Sequence, residues 1–474
     1  MRQDYERYLL AQLEDELFEV RDRLVALDSS LNRINSFWVL LMKQLYWTIS
    51  RLARNSVPEK FKTGARAIVN AISVARREGA EVRPAASSSP PAAAADGDMS
   101  SPRLLIDATI LHRQGGVTGI QRVVREVVAA VLRSGEAIPV AISQGRLHQY
   151  LAAPDLGPVV EIAAGDRFVM IDACWNCASE YEEMMRVVAE RGALSVVVMY
   201  DLIPVLYPSA FADVSHAFAD WLDTLAVRAD AVVAISKSTA DDFIEYAGAR
   251  WRADQKIGWW RLGADFKVAS RHSVSSKLRA ICADPLPFFL SVGTIEPRKG
   301  YPIALAAFQR LWDDGVDARY VIVGGSGWNT RALQSRIVEH PEFDRRLFWL
   351  ENVHDADLRE LYSAATRLIA PSFAEGFGLP LVEAAQFGLR AIASDIPVFR
   401  EIGSANVAYF RALDDADLAR CIREALTSTA HVASVPPLGW AESTRSLVAL
   451  IRDDLYQYRP VGDGGAGVRA APQR

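Results

Sequence analysis

Between residues 10 and 34, Leu10, Leu13, Leu17, Val20, Leu24, Leu27, Leu31 and Ile34 recur three and four apart, with Glu, Asp and Arg between them. A narrow seam of this kind, kept over more than three heptads, predicts a coiled coil and self-association. An amphipathic helix packed on its own domain would show a wider apolar stripe. The phase runs on through Trp38, Leu41 and Leu45 into the aromatic stretch Phe37–Ile49, which Lys43 and Gln44 interrupt. That stretch falls short of the roughly 20 apolar residues that span a bilayer. With Arg51, Arg54, Lys60 and Lys62 beside it, it suits a peripheral membrane contact or burial against protein. Residues 81–102, rich in Pro, Ala and Ser, read as a disordered linker, so the helical arm 1–80 is tethered to the rest of the chain.

From residue 103 the pattern changes to short continuous apolar runs separated by helical stretches. The runs are Arg103–Ala108, Arg167–Asp172, Leu194–Asp201, Ala231–Ser236, Phe288–Gly293, Tyr320–Val323, Leu347–Leu350, Leu368–Ala370 and Arg390–Asp395. Uniformly apolar strands are those of a parallel sheet covered on both faces, and their alternation with helices predicts α/β doubly wound units. Gln114–Gly119, with Gly116 and Gly119, forms a glycine loop leading into a helix over Ile120–Leu132. The pattern divides the chain into a unit over 103–270, a polar connection near 267–285 and a second unit over 286–435. A crossing helix over 436–457 and a disordered tail from 458 complete it.

Length and charge narrow the classes. The 474 residues hold ample core for two or three domains. A formal charge of −5 argues against nucleic acid as a partner. Four cysteines make no disulfide framework in a chain this long, and Cys174-Trp-Asn-Cys177 lacks the second pair that a zinc site needs. The chain opens on a polar segment, not a signal peptide, so a cytoplasmic location is expected.

The candidate chemistry lies in Arg367–Gly388. Leu368–Ala370 is a strand that Pro371 ends; Gly376 and Gly378 form a loop whose backbone can approach another group closely; Pro380 suits a first helical turn and Gly388 a helix stop. A helix start behind such a loop points N–H groups and a positive dipole end at a ligand. Glu375 and Glu383 frame it. Glu383, set among Leu381, Val382, Ala384 and Ala385, is expected to be buried and to need a donor, which sugar or ribose hydroxyls would supply. Each glutamate alone is equally readable as a helix-capping acid. Arg298 and Lys299, in the loop after the strand that ends at Gly293, would offset a diphosphate, or would form a solvated basic turn.

Glu375-Gly-Phe-Gly-Leu-Pro-Leu-Val-Glu383 resembles the signature of retaining GT-B glycosyltransferases, the large group that includes bacterial mannosyltransferases of lipopolysaccharide and exopolysaccharide synthesis. The resemblance covers about 103–457 and is most specific between 289 and 401. It implies two Rossmann-like domains facing a cleft, with Glu375 on the donor sugar, Glu383 on the nucleotide ribose, and amides near Phe377 and Gly378 on the diphosphate. By the same resemblance Gly116 and Gly119 face the donor phosphates, and Asn352 and Val353 border the base through their backbones. His354 reads as a surface or capping residue. Two departures stand out. Tyr200-Asp201-Leu-Ile-Pro has Tyr where the family has His, and Thr294 occupies a usual arginine position, for which Arg298 would compensate. Asp201 is a candidate for the acceptor hydroxyl, or orders the turn that comes after it.

The function implied is transfer of a hexose, mannose foremost, from a nucleotide-diphosphate sugar such as GDP-mannose to a glycan or lipid-linked acceptor. No cofactor and no metal are expected. The competing reading is a non-catalytic sugar-nucleotide-binding or assembly protein with a degenerate fold. A Rossmann oxidoreductase is disfavoured, because no GxGxxG opens a βαβ unit with an acidic residue about 20 positions on.

Overall fold

The computed structural model describes residues 102–470 apart from 115–118, 153–154, 173, 209, 212–214, 253, 266–274, 329, 404, 428–437 and 461–467. The expected coiled-coil arm, the linker and Gly116 lie outside the described residues.

Two sheets organise the molecule. The first contains β1 (Leu104–Asp107), β2 (Ile138–Ser143), β3 (Arg146–Ala152), β4 (Asp155–Val159), β5 (Arg167–Met170), β6 (Leu194–Met199), β7 (Ala231–Ala234) and β8 (Lys256–Trp259). The second contains β9 (Phe288–Val292), β10 (Arg319–Val323), β11 (Leu347–Leu350), β12 (Arg367–Ala370), β13 (Ala391–Ser394) and β14 (Val407–Phe410). Two last strands, β15 (Tyr458–Pro460) and β16 (Val468–Ala470), return to the first sheet.

The second sheet is parallel throughout, in the order β11-β10-β9-β12-β13-β14. Its strand order reverses between β9 and β12, and ligands bind open α/β sheets beyond the carboxyl ends at such a switch point. The first sheet is parallel from β2 through β1, β5, β6 and β7 to β8, and it reverses between β1 and β5. Both sheets are covered on both faces, as uniformly apolar strands require. Leu104 and Ile106 belong to one cluster of buried residues and Leu105 to another; Leu290 and Phe289 divide likewise.

The α/β doubly wound architecture is therefore as expected, with four differences. Six of the nine runs end one or two residues sooner than their apolar pattern, because the last residues leave the ladder to form the loops at the carboxyl edge. The antiparallel β2–β3–β4 meander, β8 and β14 are not among the expected elements. Gln144 and Gly145 join β2 to β3 with both φ positive, the two-residue turn that matches strand twist. The connection near 267–285 is not simply polar, for Ser276–Ala283 is a helix that buries Leu278 and Ile281. A disordered tail from 458 does not hold for β15, which pairs with β8, or for β16, which pairs with β15.

Cys174–Cys177 form a 3-10 turn and all four cysteines are free thiols. Among the described residues, no helix is long and apolar enough to cross a membrane.

Candidate active site

The loop after β9 is shaped by its neighbour after β12. Pro297–Lys299 make one 3-10 turn, and Gly300 ends it at φ 66. A Cβ on Gly300 would lie 2.0 Å from the Pro371 carbonyl oxygen. Only glycine allows that conformation and that approach together. Phe373 N–H also donates to the Arg298 carbonyl at 3.0 Å, so the two loops run back to back and their side chains converge.

They converge on Glu375. Its Oε2 accepts from Arg298 Nη1 at 2.6 Å, and its Oε1 accepts from Lys299 Nζ at 2.6 Å and from Ser372 Oγ at 2.7 Å. Arg298 Nε also reaches Glu296 Oε2 at 2.9 Å. The Glu375 side chain is only 8% exposed. Burial works to raise its pKa, but Arg298 and Lys299 outweigh burial and hold the carboxyl down at about 2. Thr294 is exposed, and the cations of this cluster are Arg298 and Lys299. Gly293 is part of the same wall, with Lys299 Cε 3.3 Å from where its Cβ would be.

Gly378, at φ 96, caps the helix Leu379–Gln386, with Pro380 in its first turn; Gly388, at φ 64, comes just past its end. A Cβ on Gly378 would meet Phe399 at 2.6 Å, while Phe377 is buried in the core. Glu383 is 2% exposed. It needs a donor, as its setting predicts, and the protein supplies two: Arg122 Nη1 to Oε1 at 2.5 Å and Tyr362 OH to Oε2 at 2.8 Å. Arg122 lies on the helix Gly119–Ser134 of the first unit, one turn past Gly119. Sequence reasoning missed both partners. The available signal was a cation one turn beyond a glycine loop, with no means of pairing it across 261 positions.

The first unit meets this site with the ends of β6 and β7. Asp201 Oδ1 accepts from Ile203 N–H at 3.1 Å, which orders the turn. The same carboxyl faces Arg298, yet burial raises its pKa more than that cation lowers it. Tyr200 OH donates to the Ile171 carbonyl at 2.7 Å. Asn352, exposed at φ 54, and Val353, half-buried, stand beyond β11, two strands from β9 and outside the charged cluster. His354 occupies the cap position of the helix Asp355–Ala364. Among the described residues, no three His, Cys, Asp or Glu side chains are grouped to hold a metal ion.

Chemically, the switch point of the second sheet presents an ammonium and a guanidinium oriented by one carboxylate, beside a glycine-rich helix start. Lysine carries three N–H donors and arginine five, so both cations keep capacity for an anion's oxygens while bonded to Glu375.

The family of glycosyl transferases group 1 matches residues 282–434. The serotype-specific mannosyltransferase WbdA of Escherichia coli is 33% identical over 376 residues, covering 73% of this chain and 44% of WbdA. The chain thus spans less than half the length of that relative. An Escherichia coli O-antigen chain mannosyltransferase B is 34% identical over 116 residues, 24% of this chain and 30% of its own. Among solved structures, sucrose-phosphate synthase from Thermosynechococcus elongatus superposes with a TM-score of 0.52 at 18% identity, covering 75% of this chain and 95% of that one. Anabaena HepE in complex with UDP-glucose gives 0.51 at 14%, covering 73% and 94%. These two share the fold. Over residues 282–434, which include Arg298, Lys299, Glu375 and Glu383, the chain matches the glycosyl transferases group 1 family.

Proposed function

We propose that the protein transfers a hexose, mannose foremost, from a nucleotide-diphosphate sugar to a glycan or lipid-linked acceptor with retention, in surface-polysaccharide synthesis. The observation that carries the reading is the convergence of Arg298, Lys299 and Ser372 on Glu375 at the switch point of the second sheet. Similarity to mannosyltransferases supports the choice of sugar. Negative charge grows on the departing diphosphate, where Lys299, Arg298 and the amides near Phe377 and Gly378 would stabilise it. Glu375, ionised across the neutral range, would position the sugar and offset positive charge at its ring. No side chain is an evident covalent nucleophile, so the acceptor oxygen would attack on the face that the diphosphate vacates, with Asp201 near its proton. Glu383 would take the ribose once Arg122 gives way, with Gly119 and Gly293 lining the approach to the phosphates and Asn352 and Val353 the base.

The donor would be GDP-mannose, on the cytoplasmic side, with the arm 1–80 serving self-association and peripheral contact at the inner membrane. The test is turnover with GDP-, UDP- and ADP-sugars, monitoring nucleotide release in the presence of a polyprenyl-diphosphate-linked glycan. Mannose transfer from GDP-mannose that falls at least about 100-fold in Glu375→Ala and Lys299→Ala is expected, the scale of a lost transition-state contact. Sugar-nucleotide binding without any turnover would instead establish the non-catalytic reading.

A further inference from the structure

Gly376 lies in close contact with the first unit. Its carbonyl oxygen accepts from Ser236 Oγ at 2.7 Å and from Thr239 Oγ1 at 3.2 Å. Both donors lie at the start of the helix Lys237–Ala247 in the first unit, and both are buried, at 0% and 2% exposed. Ser236 is also the cap of that helix, since its Oγ accepts from Thr239 N–H at 3.0 Å. A Cβ on Gly376 would lie 1.9 Å from the Tyr200 carbonyl oxygen and 3.2 Å from Asp201 Cβ. The backbone at Gly376 does not lie in the left-handed region. Glycine is therefore required here for clearance against the other unit, not for its conformation. In the same first turn, the Glu401 carboxylate accepts from Lys237 N–H at 2.8 Å and Ser238 N–H at 2.9 Å, which holds this helix end against the second unit.

We propose that Ser236 and Thr239 are positioning residues that set the Glu375–Gly378 loop from the opposite unit, so that the loop is in its working place only while the two units are closed. Gly376 sits between the carboxylate that meets the sugar and the amides that meet the diphosphate, and a bond to its carbonyl fixes both neighbours. The same loop thus reports closure directly to the reacting groups, without an intervening element. The catalytic consequence rests on the glycosyl-transfer reading; the clasp itself does not.

The test uses the full chain carrying Thr239→Val, Thr239→Ser, Ser236→Ala or Gly376→Ala. Hydrogen exchange of the amides in 372–379, measured without any ligand, is expected to speed up at least 10-fold in Thr239→Val and Gly376→Ala and to return to wild-type rates in Thr239→Ser. Ser236→Ala also removes a helix cap, so its thermal midpoint is measured alongside. With GDP-mannose as donor, the Thr239→Val kcat should fall at least 10-fold and recover in Thr239→Ser. Unchanged exchange in all of Thr239→Val, Ser236→Ala and Gly376→Ala would overturn the clasp. Faster exchange with unchanged kcat would overturn the positioning role. A wild type that turns over no nucleotide sugar would defeat the functional reading alone, and exchange would still decide the clasp.

Discussion

Glu375 is buried between two cations, and its ionisation is tied to the fold. Its carboxyl falls from an ordinary 4.5 to about 2 in the folded state, so the folded protein binds that proton more weakly than the unfolded chain does. The stabilisation is complete above pH 4.5 and fades as pH falls from 4.5 towards 2. Glu375→Gln has no such proton. Between pH 6 and pH 3 the wild type should lose about 2 kcal/mol more than Glu375→Gln in urea unfolding, and parallel pH profiles would contradict the ion-pair assignment. The Asp201 carboxyl moves the other way, because burial outweighs Arg298. Two carboxyls a loop apart are thus set for different protonation behaviour by what surrounds them. Residue types alone carry none of this: Glu375 and Asp201 are both acids in motifs, and only their neighbours separate them.

Among elements, the loops after β9 and β12 act as a single piece, and Gly300 is the reason. Gly300 and Gly315 are both left-handed, at φ 66 and φ 73. An added Cβ meets the Pro371 carbonyl at 2.0 Å in one case and nothing within 4 Å in the other. Gly315→Ala should cost about 1 kcal/mol, for the backbone alone. Gly300→Ala should cost about 3 kcal/mol or more, since overpacking adds to it. Denaturant midpoints of the two variants measure the difference, and equal losses would mean that the loops do not depend on this approach. That Gly300 serves the fit of one loop on another is not readable in the sequence, because the carbonyl it admits lies 71 positions away by number (371 less 300).

At the scale of the whole molecule, the helix Trp440–Arg452 closes the chain back onto the first unit. Trp440 is 2% exposed, its Cα would lie 2.6 Å from a Cβ on Gly263, and its N–H donates to Asp265 Oδ1 at 2.5 Å. Ser443 Oγ bonds the Arg261 carbonyl at 2.6 Å, and Lys256 pairs with Asp454 at 2.5 Å. Leu447, Val448 and Ile451 share a buried cluster with Val123, Val127 and Val131 of the first unit. Trp440→Ala should therefore cost about 4 kcal/mol and should divide calorimetric unfolding into two transitions, with the first unit melting earlier. A single transition shifted by less than about 1 kcal/mol would show that this closing helix contributes little.

What the sequence determined by itself was everything that a local pattern can carry. Continuous apolar runs placed β1, β5, β6 and β7 of the first sheet and all but β14 of the second, Pro380 and Gly388 bounded one helix, and the spacing of Glu375 and Glu383 marked the loop that matters. Interaction partners were beyond it. Arg122 for Glu383, Ser236 and Thr239 for Gly376, and β15 for β8 are pairings across more than a hundred positions, between residues whose types are ordinary where they stand. Ion pairs, clearances and sheet edges depend on distance in space. The tertiary structure decided them, because burial determines which charge must find a partner and packing determines which one is within reach.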